Sequence, residues 1–520
     1  MGIYLNPDNI QFLEAVNKEI YVDKSLLIQY TNQLINTADN KICVTRPRRF
    51  GKSTDANMLV AYYSKGCDSS DIFNHLKISQ TEQYKVHLNK HNVFHLNMQD
   101  FLSQTCNIEQ MIQLINDSLV WDLLLQYRDL MYFDKTKLIR VLSDICAQTQ
   151  EQFIFIIDEW DSIFREYKND KEGQKNYLDF LRNLLKDKPY VELAYMTGIL
   201  PIKKYGTHSA LNMFEEISMI DPGLLAEFMG FTEDEVENLC LKYDVSYDEM
   251  KEWYDGYHIT DALSTFSPRS VVSAIVRKQF GNYWTSTETY EALQVYIDMN
   301  FDGLKDDIVK LLAGETVLVQ TSSFQNDMTT LKSKDDVLTL LIHLGYLGYS
   351  YSNQVCYIPN KEVIDSFVNS IRNSDWKETT KALLNSQKLL EATWNQDEEM
   401  VAKYIEEAHL DTSILTYNNE NALSYTLSIA YIYARNHYTV IREMPSGKGF
   451  ADMVFIPYHD KPAMIVELKW NETVETALTQ IKEKKYPKSL EKYQDNLLIV
   501  GITYNPQTKQ HICKIEIIKK

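Results

Sequence analysis

Apolar residues along this chain fall into short continuous runs separated by stretches in which they return every three or four positions. Phe153–Ile157 reads FIFII, five apolar residues between polar flanks. The run is too short for a helix of its own and predicts a strand buried on both faces of a parallel sheet. Lys41–Val44 (KICV), Val93–Met98 (VFHLNM) and Val191–Met196 (VELAYM) are further strand candidates, and helical spacing fills the intervals at Ser53–Tyr63, across residues 107–150 and in YLDFLRNLLKD. Strands alternating with helices to about residue 200 predict a doubly wound α/β domain with its ligand at the carboxyl ends of the strands.

The texture changes near Phe231, where helices predominate. FTEDEVENLCLKY opens with Thr232 and, three positions on, Glu235, the spacing of a capping box. Leu338–Ile358 predicts a helix and then a hairpin turning at Ser352–Asn353, compatible with a winged-helix-like unit and equally with a small hairpin packed on a helix bundle. After acidic, helix-rich sequence comes a third region: a helix at Ala422–Ala434, strands within Gly447–Pro457 and Pro462–Trp470, a helix at Val474–Lys485 and a strand at Leu497–Ile502. The expected order there is α-β-β-β-α-β. These changes divide the chain into a P-loop α/β domain at 1–225, a helical lid or linker at 226–400 and a second α/β domain at 401–520.

A chain of 520 residues exceeds one ordinary core, which fits such a division. The net charge of −19 sets a global field that repels phosphate, so affinity for nucleic acid would need local basic patches. Seven scattered cysteines without a C-x-x-C pair argue for a reducing compartment and against structural zinc. No stretch approaches a membrane span, and MGIYLNPDN has neither a basic nor an apolar leader region and places Asn6 where myristoylation needs Ser or Thr. A soluble cytoplasmic protein is expected.

Thr45–Thr54, TRPRRFGKST, lies where the first strand turns into a helix. Its second half satisfies the Walker A pattern with Gly51, Lys52 and Ser53, while Arg46 replaces the first glycine. Gly51 lets the backbone approach a phosphate, Lys52 reaches its oxygens, the Ser53 hydroxyl can ligate Mg²⁺, and Arg48, Arg49, Phe50 and Thr54 complete the expected nucleotide contacts. Arg46, Arg48 and Arg49 set three cations around this turn. FIFII ends in Asp158 and Glu159, a Walker B arrangement in which Asp158 holds Mg²⁺ and Glu159 polarises the attacking water. Thr197 ends the neighbouring strand and is a candidate sensor of the terminal phosphate; a Thr-Gly turn is the competing reading.

The second constellation is D-(x14)-E-x-K: Asp452, Glu467 and Lys469. With a period of two, Ile465, Glu467 and Lys469 share one strand face and Val466, Leu468 and Trp470 the other. Two carboxylates in an apolar sheet are costly unless compensated, and a divalent cation, Mg²⁺ or Mn²⁺, compensates them at Asp452 and Glu467. Lys469 would then orient or deprotonate a water, or neutralise charge developing on a cleaved phosphodiester. The helix after the hairpin offers Gln480 and the lysines 482, 484, 485 and 488, which suit a phosphate backbone or a solvated face.

With these motifs the sequence resembles bacterial proteins that join an AAA-ATPase-like domain to a C-terminal PD-(D/E)XK nuclease-like domain. YVDKS (Tyr21–Ser25), RPRRFGKS (Arg46–Ser53), FIIDEWD (Phe155–Asp161), TGILPIKKYGTHSALNMF (Thr197–Phe214), GFTEDEV (Gly230–Val236), WYDGY (Trp253–Tyr257), FADMVF and IVELKW carry the likeness. In that family arginine commonly replaces the first Walker glycine. The resemblance implies ATP at Gly51, Lys52 and Ser53, magnesium at Ser53 and Asp158, and a nuclease-like centre at Asp452, Glu467 and Lys469, with Glu420 the nearest further acid. The resemblance does not supply a substrate; the leading expectation from the two sites together is an ATP-gated nuclease acting on DNA. The alternatives are a nucleotide switch whose second domain binds without cutting and an ATPase that remodels protein partners, in either case with a homo-oligomer compatible.

Overall fold

The apolar runs become strands; three of them extend one or two residues past the run that predicted them, and the second is shifted one residue back, to end before Met98. In a computed structural model, β1 (Lys41–Thr45), β2 (Asn92–Asn97), β3 (Phe153–Asp158), β4 (Val191–Gly198) and β5 (Glu215–Ile217) form one sheet in the order β2-β3-β4-β1-β5. Every pairing in it is parallel. All positions of β3 and β4 are buried, the pattern of strands covered by helices on both faces. The structure describes residues 2–202, 204–205, 208–209, 211–260, 263–284, 289–299, 301, 303–312, 314–325, 331–372, 377–411, 427, 430–446, 449–457, 461–483, 490, 493, 496–508 and 510–518.

The chain divides into two compact units, one of Met1–Ser286 with Thr316–Glu362, the other of Thr287–Glu315 with Val363–Lys520. The first unit holds the parallel sheet and two three-stranded sheets, from Phe231–Thr232, Leu263–Phe266 and Tyr257–Thr260, and from Val317–Leu318, Val355–Tyr357 and Gly348–Ser350. The hairpin expected to turn at Ser352–Asn353 is formed by Gly348–Ser350 and Val355–Tyr357, and the other short antiparallel strands lie in the region where helices were expected to predominate. Its helix Lys334–Leu344 is buried at every position from Asp336 to His343, so these side chains fill a core. The capping box is formed: Glu235 Oε2 accepts the Thr232 N–H at 2.9 Å, and the same oxygen takes the Lys24 amine at 2.6 Å, joining YVDKS to GFTEDEV.

The second unit is built on β6 (Tyr438–Ser446), β7 (Gly449–Pro457), β8 (Ala463–Trp470), β9 (Leu497–Asn505) and β10 (Gln510–Ile518), in that spatial order. Only β8 and β9 run parallel, as the helix Val474–Glu483 between them requires. β10, an antiparallel edge strand, was not part of the expected order. Met453, Phe455, Met464, Val466 and Leu468 pack with Leu389, Leu390, Val401 and Tyr431, whereas Val454 and Ile465 pack with Leu478 and Ile481. This split follows the period-two reading of β8. Among the described residues no helix is long and apolar enough to cross a membrane, and none of the seven cysteines is in a disulfide.

Candidate functional sites

β1 delivers the phosphate loop, and α1 (Lys52–Tyr63) starts immediately after Gly51, whose φ of +88° needs a residue without a Cβ. Lys52 is buried, and its amine donates to the carbonyls of Arg46 and Pro47 at 3.0 and 2.9 Å, two oxygens of the loop itself. Burial lowers its pKa, and the carboxylates of Glu159, Asp161 and Asp158 act in the opposite direction. Lys52 thus sits among the acids that end β3. The sequence separated them by about a hundred residues; β1 and β3 both flank β4, which brings their ends together.

Asp158 is the last residue of β3, and its Oδ1 accepts both the Thr197 hydroxyl and, at 3.0 Å, the Glu159 N–H. The ordering of one carboxylate by a neighbouring strand is the kind of support a metal ligand receives. Ser53, exposed at the start of α1, and Asp158 offer the hard oxygens that Mg²⁺ takes alongside phosphate and water. Glu159 has φ of +55° and pairs with Arg165 of α2 (Ser162–Glu166). Arg165 Nε also faces Asp161 Oδ2 at 3.3 Å. Gly198 is required by a close approach, because a Cβ there would lie 2.5 Å from the Trp160 ring and 2.7 Å from Asp161 Oδ1.

The three arginines of the loop do not act alike. Arg48 and Arg49 are exposed, but Arg46 is 1% exposed and its Nη1 pairs with Asp55 Oδ2 of α1 at 2.8 Å and donates to the Phe228 carbonyl. The expectation of three cations around the turn is corrected accordingly: Arg46 is an internal strut tying the loop's entry to α1. The rest of the loop is backed by distant segments of the same unit. Phe50 meets Tyr257 edge-on with ring centroids 5.2 Å apart, Trp284 Nε1 donates to the Arg48 carbonyl at 3.1 Å, and Arg49 donates to the Tyr283 carbonyl at 2.9 Å. Tyr257 of WYDGY in turn donates to the Gly345 carbonyl at 2.9 Å. A motif without obvious chemistry therefore supports the loop.

In the second unit, β7 and β8 are paired from Phe455–Met464 to Met453–Val466, and Asp452 and Glu467 follow immediately beyond that last pair. Glu467 lies against α3 (Val474–Glu483), from which the Gln480 amide donates to its Oε1. Lys469 Nζ lies 3.4 Å from the same oxygen. Glu467 is 1% exposed, and Asp452 Oδ2 accepts the Leu468 N–H at 2.7 Å. The structure brings together Glu467, Lys469 and Gln480 and bonds Asp452 to the Leu468 backbone between Glu467 and Lys469; Glu420, Lys484, Lys485 and Lys488 lie outside the described residues, and Lys482 pairs with Glu516 at 2.6 Å. Among the described residues no group of three or more His, Cys, Asp and Glu could hold a metal. A pair of carboxylates does suit Mg²⁺, which usually keeps several waters and takes substrate phosphate as ligand.

Residues 10–207 match the model of the AAA-ATPase-like family, described as "Predicted AAA-ATPase", and residues 419–514 match that of the PD-(D/E)XK nuclease superfamily. The chain joins an AAA-ATPase-like domain to a PD-(D/E)XK nuclease-superfamily domain. Such domains generally use ATP and divalent metals, and their presence supports an enzyme in general. No curated protein matches the chain. Among solved structures, the Aeropyrum pernix ORC2 protein in ADPNP-ADP complexes is similar at 12% identity over 69% of this chain and 97% of that one, with a TM-score of 0.30. A likeness that loose carries no argument. Arg165 was missed by sequence reasoning in the AAA-ATPase-like domain, and its signal is faint: a basic residue in the first helical turn after FIIDEWD.

Proposed function

We propose that the AAA-ATPase-like domain binds and hydrolyses ATP and that nucleotide state gates cleavage of DNA by the PD-(D/E)XK domain. The observation that carries the first half is the meeting of Lys52 with Asp158 and Glu159 in one buried electrostatic cluster. In this reading Lys52 leaves the carbonyls of Arg46 and Pro47 to bind phosphate, the backbone around Gly51 cradles it, Arg48, Arg49, Phe50 and Thr54 line the site, and Ser53 and Asp158 hold Mg²⁺. Thr197 fixes Asp158 in place, and Glu159 takes a proton from water. The ion supplies charge neutralisation at the phosphate oxygens.

The second half rests on the ion pair of Glu467 with Lys469 and on the bond from the Leu468 N–H, between them in sequence, to Asp452. Asp452 and Glu467 would hold Mg²⁺ or Mn²⁺, Gln480 orients Glu467, and Lys469 positions a water or offsets charge on the scissile phosphate. Purified protein incubated with plasmid and linear DNA, with and without ATP and Mg²⁺ or Mn²⁺, tests both halves. Lys52→Ala abolishes ATP turnover, whereas Asp452→Ala and Lys469→Ala abolish cleavage and leave turnover intact. Unchanged cleavage by Asp452→Ala removes the nuclease assignment. In that case the net charge of −19 favours a nucleotide switch or partner-remodelling ATPase whose second domain binds without cutting.

A further inference from the structure

Arg165 belongs neither to the phosphate loop nor to the acids that end β3, yet its guanidinium is placed among them. It pairs with Glu159 through Nη2, faces Asp161 Oδ2 through Nε at 3.3 Å, and lies near enough to Lys52 for the two cations to repel. Its two carboxylate partners are not equivalent. The Asp161 side chain is 0% exposed and the same Oδ2 accepts the Leu200 N–H at 2.9 Å, which makes it a fixed counter-ion. The Glu159 side chain keeps 24% exposure and makes its ion pair at the open side of the cluster.

A guanidinium is a planar fork that binds two oxyanions in different directions at once. Held by one fixed and one exchangeable carboxylate, it can trade the second for another oxyanion and keep the first. In a phosphate-loop site the oxyanions that the loop lysine reaches include the terminal, γ-phosphate of a triphosphate, a group that a diphosphate lacks. Resting on the nucleotide-binding reading above, we propose that Arg165 distinguishes nucleoside triphosphate from diphosphate: it releases Glu159 to bind the terminal phosphate, and so makes Glu159 available to water only when a triphosphate is in place. Arg165 is thereby a ligand of the nucleotide and a latch on the base.

Calorimetric titration of the full chain with Mg²⁺–AMPPNP and with Mg²⁺–ADP reads this without turnover. Arg165→Ala weakens AMPPNP about tenfold or more, the loss of a charge-assisted contact, and changes ADP less than about twofold. Glu159→Gln, whose amide competes poorly for the guanidinium, tightens AMPPNP several-fold with ADP unchanged. Arg165→Lys keeps a counter-charge for Asp161, so it provides a folded variant if the alanine protein does not fold, and its AMPPNP affinity falls between those of wild type and Arg165→Ala. Equal weakening of both nucleotides by the Arg165 variants, or no change in either, overturns the assignment while nucleotide binding stands. A wild-type chain that binds neither nucleotide, or a Lys52→Ala chain that binds both as wild type does, overturns the underlying reading and this assignment with it.

Discussion

The hydroxyl of Thr197, on the penultimate residue of β4, donates to the carboxylate of Asp158 at the end of β3. Two adjacent parallel strands thereby fix the direction of one oxygen donor. Thr197→Val keeps the shape of the side chain and removes the bond. Loss of such outer support costs about 10–100-fold in metal affinity or activity. The Mg²⁺ concentration for half-maximal ATP turnover is expected to rise by that order while the unfolding temperature changes little; an unaltered Mg²⁺ dependence would show that Asp158 needs no such support.

Arg46 and Asp55 form a buried pair within the first ten residues after β1. Burial raises the Asp55 pKa, and Arg46 opposes that shift. Arg46→Ala leaves a carboxylate without its counter-ion in the interior and is expected to cost about 3–5 kcal/mol. Arg46→Met combined with Asp55→Leu removes both charges and should recover most of that loss. Denaturant midpoints of the three proteins decide the matter, and an Arg46→Ala protein as stable as wild type would contradict the strut.

Asp452 bonds the Leu468 N–H, and the flanking Glu467 and Lys469 pair with each other, so Mn²⁺ titration should separate ligands from scaffold. Glu467→Gln and Asp452→Asn each abolish the heat of binding assigned to the second unit, while Lys469→Ala retains it and loses cleavage. Retention of the heat by Glu467→Gln would place the metal elsewhere.

His87 Nδ1 and His91 Nε2 lie 3.0 Å apart, and His91 Nδ1 faces Glu192 at 2.9 Å. Burial lowers the His87 pKa below the ordinary histidine value of 6.5, reinforced by His91 and opposed by Glu192. A folded pKa below the unfolded one means that the unfolded chain takes up the proton first. Stability associated with His87 is therefore intact above about pH 6.5 and declines as pH falls through that value toward the folded pKa. His87→Gln is expected to flatten the fall of the unfolding temperature between pH 7 and 5, and an unchanged slope would rule out His87 as its source.

The parallel sheet was legible because its strands are continuous apolar runs, and FIFII followed by Asp158 and Glu159 located the acids at a strand end before any contact was known. The pairing of Glu467 with Lys469 on one face followed from the two-residue period alone. Arg46 was not legible: three arginines on one turn look alike in sequence, and Asp55 within α1 decides which of them is drawn inside. β10 was hidden because its alternation fails at both ends: His511 is buried while Ile512 and Ile517 are exposed, and only Cys513 and Ile515 are buried apolar positions between them. Of the strands between Phe231 and Tyr357, those of the hairpin about Ser352–Asn353 were legible from their turn, and the others are two to four residues long, too short to show any period.

The loop that receives phosphate takes its backing from Tyr257, Tyr283 and Trp284, and Tyr257 is itself bonded to Gly345. An excised fragment ending near residue 225, where the change in sequence texture invites a cut, would leave Phe50 without its aromatic neighbour and the Arg48 carbonyl without its indole donor. Minimal versions of this AAA-ATPase-like domain that keep a well-formed phosphate loop must therefore extend to Glu362, more than a hundred residues beyond the last strand of the parallel sheet.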